Sequence, residues 1–292
     1  MKSFLLFAIS MLYSQFSLAQ GFGDFDKVVI KTHKISDTIY MLEGQGGNIG
    51  VSIGDDGVFI IDDQFGPLNE KITAALAKLS DKPVNFVVNS HWHFDHSDGN
   101  VAFGKAGAII VSQSNSRDRM MSEQTLSAFG YKQAPYEKVG LPKITFDDEI
   151  WFHYNDDAIQ LMHFGAAHTN GDTITYFNKA NVMHTGDVFV TSGLPFIDAG
   201  NGGSITGVIN SVTKAMSLIN DTTVVIPGHG QLANKADMQK YKETLIAIRD
   251  KVAKEKTAGK ALKDIDAEAL MAEFPKGFLP PEGFVAVVYQ DI

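Results

Sequence analysis

Apolar and polar residues alternate along Val28–Ile35 and again along Thr38–Glu43, the period of two expected of half-buried strands. Asn48–Ile53 continues the pattern, and Gly54-Asp55-Asp56-Gly57 reads as a tight hairpin turn into Val58–Ile61. The chain therefore opens as an antiparallel sheet built one hairpin at a time. The period then changes: Leu68, Ile72, Ala75, Leu76 and Leu79 stand at helical spacing, and that helix ends before Pro83. Val84–Asn89 predicts a buried strand. A short helix from Asn100–Gly104, a strand over Ala108–Ser112 and a helix over Ser116–Phe129 follow.

The second half repeats the plan. Ile144–Phe146, Glu149–Phe152, Ala158–Phe164, Thr173–Phe177 and Asn181–His184 read as strands. Ser204 suits the N-cap of a helix over Ile205–Ile219, whose Ile205, Val208, Ile209, Val212 and Met216 form one apolar stripe. Val224–Ile226 is a last buried strand. Asp237–Lys256 and Asp266–Phe274 are helical, and a Pro/Gly-rich tail follows. Strands followed by helices, twice over, predict an α/β fold in which two sheets pack face to face with helices outside, an αββα sandwich. No low-complexity linker divides the halves. Residues 20–292 thus read as one domain with a helical C-terminal extension from about residue 234.

Composition narrows the function. With 44% hydrophobic and 20% charged residues the chain is an ordinary globular one. A net charge of −9 without a Lys/Arg stripe excludes nucleic acid as a partner. Lys2, the apolar Phe4–Tyr13 and the small-x-small Ser17-Leu18-Ala19 form an export signal over residues 1–19, too short and too broken by Ser10, Ser14 and Gln15 to span a bilayer. The expectation is a mature periplasmic or secreted protein with no membrane attachment. The absence of Cys suits an oxidising compartment and restricts any metal site to nitrogen and oxygen ligands.

The chemistry concentrates just after the Val84–Asn89 strand, in Ser90-His91-Trp92-His93-Phe94-Asp95-His96-Ser97-Asp98-Gly99. Imidazole and carboxylate crowded at a strand end are preferred ligands of a divalent metal. Further candidates also stand just beyond predicted strands: His168 in Ala167-His168-Thr169-Asn170-Gly171-Asp172, Asp187 in His184-Thr185-Gly186-Asp187, and His229 in Pro227-Gly228-His229-Gly230.

H-x-H-x-D-H, then a His, an Asp and a G-H, in that order over most of residues 40–230, resembles the metallo-β-lactamase superfamily of αββα metallohydrolases. The resemblance implies two zinc ions. His91, His93 and His168 would hold the first, and Asp95, His96 and His229 the second, with Asp187 as the carboxylate shared between them. Asp62 matches the family's early Asp and would orient a ligand His from behind; His184 is a further candidate for such support. Two divalent ions roughly 3.5–4 Å apart would hold a hydroxide at neutral pH and polarise the bond it attacks. Asp95 would orient that hydroxide and later protonate the leaving group. Neither a G-x-S-x-G nor a Cys nucleophile is present.

Export and the Gly165–Thr169 pattern followed by Asp172-Thr173 resemble the class B β-lactamases. Two departures stand against that subclass: it places a Cys where this chain has Asp187, and a Lys shortly after, whereas Val188–Pro195 contains none. An Asp there resembles glyoxalase II-type thioesterases, lactonases and phosphodiesterases. The favoured reading is a hydrolase of cyclic amides or esters, with β-lactams among its small-molecule substrates. A mononuclear iron dioxygenase acting on persulfides shares H-x-H-x-D-H but uses only two His and one Asp, and the second ligand set argues against it. A non-catalytic scaffold would have no need of all seven ligands. Substrate choice lies in Gly44–Asn48, Gln64–Pro67 and Thr191–Asp198, where Leu194 and Phe196 could line an apolar wall. The remaining residues read structurally: His33 as surface, His153 and His163 as packing or backbone-bonded residues, Trp92 and Phe94 as wedges into the core, and Asp98 as a turn or cap residue.

Overall fold

The computed structural model describes residues 24–292. The expected export signal over residues 1–19 lies outside them. A seven-stranded sheet is assembled from β1 (Lys31–Lys34), β2 (Ile39–Glu43), β3 (Ile49–Gly54), β4 (Gly57–Ile61), β5 (Val84–Val88) and β6 (Ile109–Gln113). After a separate hairpin of β7 (Gln124–Leu126) and β8 (Tyr131–Gln133), β9 (Ile144–Phe146) completes it. The second sheet holds β10 (Glu149–Tyr154), β11 (Asp157–Met162), β12 (Ile174–Phe177), β13 (Val182–His184) and β14 (Val224–Ile226). The early strands pair antiparallel, whereas β4, β5, β6 and β9, and likewise β13 and β14, run parallel.

Side-chain alternation builds the layers, because successive residues of a strand face opposite sides of its sheet. Ile39 and Met41 of β2, Phe59 and Ile61 of β4, and Val88 of β5 meet Ile159, Leu161, Phe177, Val182 and Ile226 in a core between the sheets. Their neighbours Leu42, Val58, Ile60 and Val87 turn outward beneath Leu68, Ile72 and Leu76. On the far side Ile174, Tyr176, Met183 and Val225 pack under helices that contribute Val208, Val212, Met238, Leu245 and Val288. Three apolar interfaces make four layers, so the αββα expectation holds.

The helices are α1 (Asn69–Leu76), the single turn α2 (Phe94–Ser97), α3 (Asn100–Lys105), α4 (Ser114–Met120), α5 (Ile205–Leu218), α6 (Lys235–Thr257), α7 (Ala267–Met271) and α8 (Pro281–Asp291). Ser204 caps α5 by accepting from the Gly207 amide at 3.0 Å. A capping box of Asn234 and Asp237 starts α6. Among the described residues no helix is long and apolar enough to cross a membrane.

Three element expectations are corrected. The helix over Ser116–Phe129 ends at Met120, and the chain reverses there because β8 pairs with β7 and the Tyr136 amide donates to the Met120 carbonyl at 2.9 Å. The first strand is shorter than Val28–Ile35: Lys71 Nζ draws the Phe25, Asp26 and Val28 carbonyls away from the sheet, and Val29 is 73% exposed. The tail after Phe274 is not irregular throughout. Pro281 sits at the start of α8, where its missing N–H costs nothing, and Phe284, Val285 and Val288 are buried.

Candidate metal centre

The loops leaving β5, β11, β13 and β14 open at one edge of the sandwich. His91 and His93 lie between β5 and α2, and Asp95 and His96 form the first turn of α2. His168 comes from the loop after β11, Asp187 from the turn after β13, and His229 from the loop after β14. All seven predicted ligands meet. His91, His93 and His168 form one group, Asp95, His96 and His229 another, and His91, His96 and Asp187 a third that joins them. Within each group the ligating atoms lie within 4.8 Å of one another.

Each buried imidazole commits its outer nitrogen elsewhere, which aims the inner one at the centre. His168 Nδ1 donates to the Phe196 carbonyl at 2.6 Å, leaving Nε2 at 2.9 Å from His93 Nδ1 and 3.2 Å from His91 Nε2. His93 Nε2 pairs with the Asp198 carboxylate at 3.0 Å, and His91 Nδ1 with the Ser90 hydroxyl at 3.1 Å. His96 Nδ1 donates to Asp62 at 2.7 Å, and its Nε2 lies 3.2 Å from His229 Nε2. Asp187 stands between the groups, with Oδ1 3.2 Å from His96 Nε2 and Oδ2 3.6 Å from His168 and 3.5 Å from His229.

The electrostatics divide the centre in two. Burial, with the neighbouring imidazoles adding to it, holds His91 well below its ordinary value, and burial brings His168 down to about 4. These are neutral donors whose lone pairs converge, an arrangement that calls for a cation. The other half is rich in carboxylate. Burial opposes a charge on His229, but Asp187 and Asp95 outweigh it and raise that ring to about 10. His96 is raised well above its ordinary value against the same burial cost by Asp187, Asp95 and Asp62. Conversely, burial disfavours the Asp95 carboxylate, yet His96 and His229 hold it at about 2. A divalent ion would supply the positive charge that protons supply here, and would displace them. Asp187 Oδ1 is buried and is satisfied only by the His96 imidazole, 3.2 Å away. A buried carboxylate oxygen amid imidazole nitrogens fits a bound cation.

Asp62 accepts from the Ser90 amide at 2.6 Å, the Ser90 hydroxyl at 2.7 Å and His96 at 2.7 Å. His184 lies behind the centre, bonded from Nε2 to the Asn48 carbonyl at 2.9 Å and accepting from the Gly186 amide at 3.2 Å. Gly47 presses on the His96 ring so closely that a Cβ there would fall 2.1 Å from Cε1. His163 Nδ1 donates to the Asp172 carbonyl at 2.7 Å, and His33 pairs with Glu43 near the surface. His153 is exposed on β10 and so packs against nothing, because that edge strand turns it to solvent. Trp92 is a core wedge, and Phe94 both enters the core and lines the cavity. Asp98 accepts from the Gly66 amide at 2.9 Å.

The centre opens into a cavity of about 290 Å³ whose walls include the expected Leu194 and Phe196. Phe65, Leu126, Val190 and Phe278 join them, with Gln45 and Ser192 as neutral polar groups. The sequence carried no signal for Asp198, which sits in Phe196-Ile197-Asp198 without a motif, nor for Leu126 and Phe278, which come from elements read differently.

The profile of the metallo-beta-lactamase superfamily matches residues 42–229, which holds every one of these ligands. The chain belongs to that superfamily. Members of this superfamily bind metals, typically zinc, and act on small molecules. A hydroxyacylglutathione hydrolase of Polaromonas sp. (strain JS666 / ATCC BAA-500) is 24% identical over 174 residues, which are 58% of this chain and 57% of that protein. The chain thus spans little more than half the length of this relative. The crystal structure of the DIM-1 metallo-beta-lactamase superposes with a TM-score of 0.60 at 17% identity, covering 75% of this chain and 99% of that one. The sec-alkylsulfatase Pisa1 from Pseudomonas sp. gives 0.66 at 14% identity, over 89% of this chain and 50% of the other. At such identities these superpositions establish the shared fold.

Proposed function

We propose that this superfamily member is an exported di-zinc hydrolase that cleaves a cyclic amide or ester, with β-lactams and thioesters as the nearest chemical neighbours of its substrate. One observation carries the reading: two ligand groups, one neutral and one carboxylate-rich, meet through His91, His96 and Asp187. His91, His93 and His168 would hold one ion, Asp95, His96 and His229 the other, and Asp187 would face both. Ions held there would supply Lewis acidity and ionise water near neutral pH.

The chain's own groups do the rest. Asp95 faces the cavity, carries its charge through His96 and His229, and accepts a proton from the attacking water at Oδ2. That water adds across the scissile bond: the acyl carbon gains a hydroxyl and the departing nitrogen or oxygen gains the proton. Leu194, Phe196 and Phe65 narrow the water-accessible approach. Asp62, Ser90 and Asp198 hold three of the rings from behind and so orient them before an ion binds. The name of the Polaromonas relative supports including a glutathione thioester among candidate substrates.

The test is metal analysis of the purified mature protein, coupled to a substrate panel. Two equivalents of zinc and chelator-sensitive turnover of a chromogenic cephalosporin, a lactone or a glutathione thioester are expected. A protein that cannot be loaded beyond one equivalent, and that consumes oxygen with a persulfide, would replace this reading with the dioxygenase one.

A further inference from the structure

The C-terminal extension reaches the metal centre. Between α7 and α8 the chain runs back across the loop after β13, and Gly193-Leu194 lies against Lys276-Gly277. The Leu194 amide donates to the Lys276 carbonyl at 3.1 Å, and Leu194 bridges Gly277 in parallel fashion. Glycine is required on both sides of this contact. A Cβ on Gly193, whose φ is +139°, would fall 2.2 Å from the Lys276 carbonyl oxygen, and one on Gly277 would fall 2.6 Å from Leu194 Cβ. Met271 before this segment and Phe284, Val285 and Val288 after it are buried under α6. A segment pinned at both ends and in the middle carries Phe278, which is 70% exposed and lines the cavity over the metal centre. Held there, the Phe278 ring adds apolar surface to the cavity wall beside the metal centre.

The chemistry of the other walls agrees. Leu126, Leu194 and Phe196 are apolar, and the Phe196 ring lies 5.9 Å from the rings of both His93 and His168. The apolar wall therefore begins beside the reacting bond. Among the described residues lining the cavity the ionisable ones are His93, Asp95, Asp187 and His229, and none is Lys or Arg. A substrate carboxylate set against these walls would meet no cation outside the metal centre, and its desolvation would go uncompensated.

We propose that Phe278 is a specificity-determining residue, and that with Leu126, Leu194 and Phe196 it takes the uncharged apolar body of the substrate, so that the enzyme prefers neutral hydrophobic esters or lactones over carboxylate-bearing substrates. The inference rests on the hydrolase reading and narrows its substrate class to neutral esters and lactones, away from carboxylate-bearing β-lactams and glutathione thioesters.

Binding is read without turnover by titrating the full mature protein with N-phenyl-1-naphthylamine, a neutral apolar fluorophore. Phe278→Ala weakens its binding about tenfold, the effect of uncovering a few tens of Å² of apolar contact, and Phe278→Leu recovers most of that loss. Equal binding by wild type and Phe278→Ala overturns the proposal. Selectivity is read on zinc-loaded protein with 4-nitrophenyl acetate, octanoate and the suberate half-ester, which ends in a carboxylate. The octanoate exceeds the half-ester at least about tenfold in kcat/KM, and Phe278→Ala lowers the octanoate-to-acetate ratio by a similar factor. Equal turnover of octanoate and half-ester overturns the proposal. If neither these esters nor the cephalosporin, lactone and thioester are cleaved while fluorophore binding still depends on Phe278, the hydrolytic reading fails and the apolar subsite stands.

Discussion

Replacing Asp62 by Asn isolates the support of a single ligand ring. Asp62 is fully buried and accepts three hydrogen bonds of 2.6–2.7 Å, from the Ser90 amide, the Ser90 hydroxyl and His96 Nδ1. Its φ of 66° is one that Asn adopts as readily as Asp, so the substitution leaves the backbone unstrained. The Asn carbonyl can still accept from the Ser90 amide, but the amide nitrogen that replaces the second oxygen cannot accept from His96. A hydrogen bond to a charged group contributes about 1.5–3 kcal/mol, and two are at stake. Part of that returns because a neutral amide is cheaper to bury than a carboxylate, so a net stability loss of about 1–3 kcal/mol is expected. Loss of the acceptor behind a metal-ligating His lowers metal affinity about 10–100-fold, or about 1.4–2.8 kcal/mol. Because the contact is to His96 and not to His93 or His168, the loss would fall on one of the two proposed zinc equivalents. Chelator competition on zinc-loaded protein should show that equivalent leaving at lower chelator concentration, with the other shifted little through Ser90 and His91. Thermal unfolding of the metal-free protein measures the stability part separately. A folded Asp62→Asn protein whose chelator titration overlays the wild type would refute the argument that Asp62 orients His96.

Other outcomes follow from the same geometry. Gly47→Ala would place a methyl 2.1 Å from His96 Cε1, so the ring or the loop must move; a stability loss of about 1–3 kcal/mol in thermal unfolding and loss of one zinc equivalent are expected. Asp95→Asn should keep most of the bound zinc while turnover falls about 10²–10⁴-fold in steady-state kinetics, as expected of removing a proton acceptor. His163→Ala should leave zinc stoichiometry at the wild-type value by elemental analysis, because its ring is spent on the Asp172 carbonyl and belongs to none of the ligand groups.

Neighbouring residues set how much could be read without a structure. The ligands were legible because they fall in a dense motif and then at the ends of apolar strands, where β5, β11, β13 and β14 hand the chain to one edge. Asp198 was not: a carboxylate 105 positions from His93 has no local pattern that says which ring it will hold. The helix expected through Phe129 failed because β7 and β8 find their partners only in each other, which helical spacing of apolar residues does not reveal. The tail misled because Pro and Gly read as irregular, although Pro281 opens a helix.

Local sequence determined most of the strands, the hairpin-by-hairpin opening and the seven candidate ligands at strand ends, since period and side-chain chemistry are properties of neighbouring residues. Tertiary structure decided which ring each buried carboxylate supports, how the imidazole and carboxylate-rich halves of the centre are arranged, and that Phe278 from the far end of the chain lines the cavity. Those depend on distances between segments up to about 200 residues apart and on how much water packing excludes, which no stretch of the chain carries by itself.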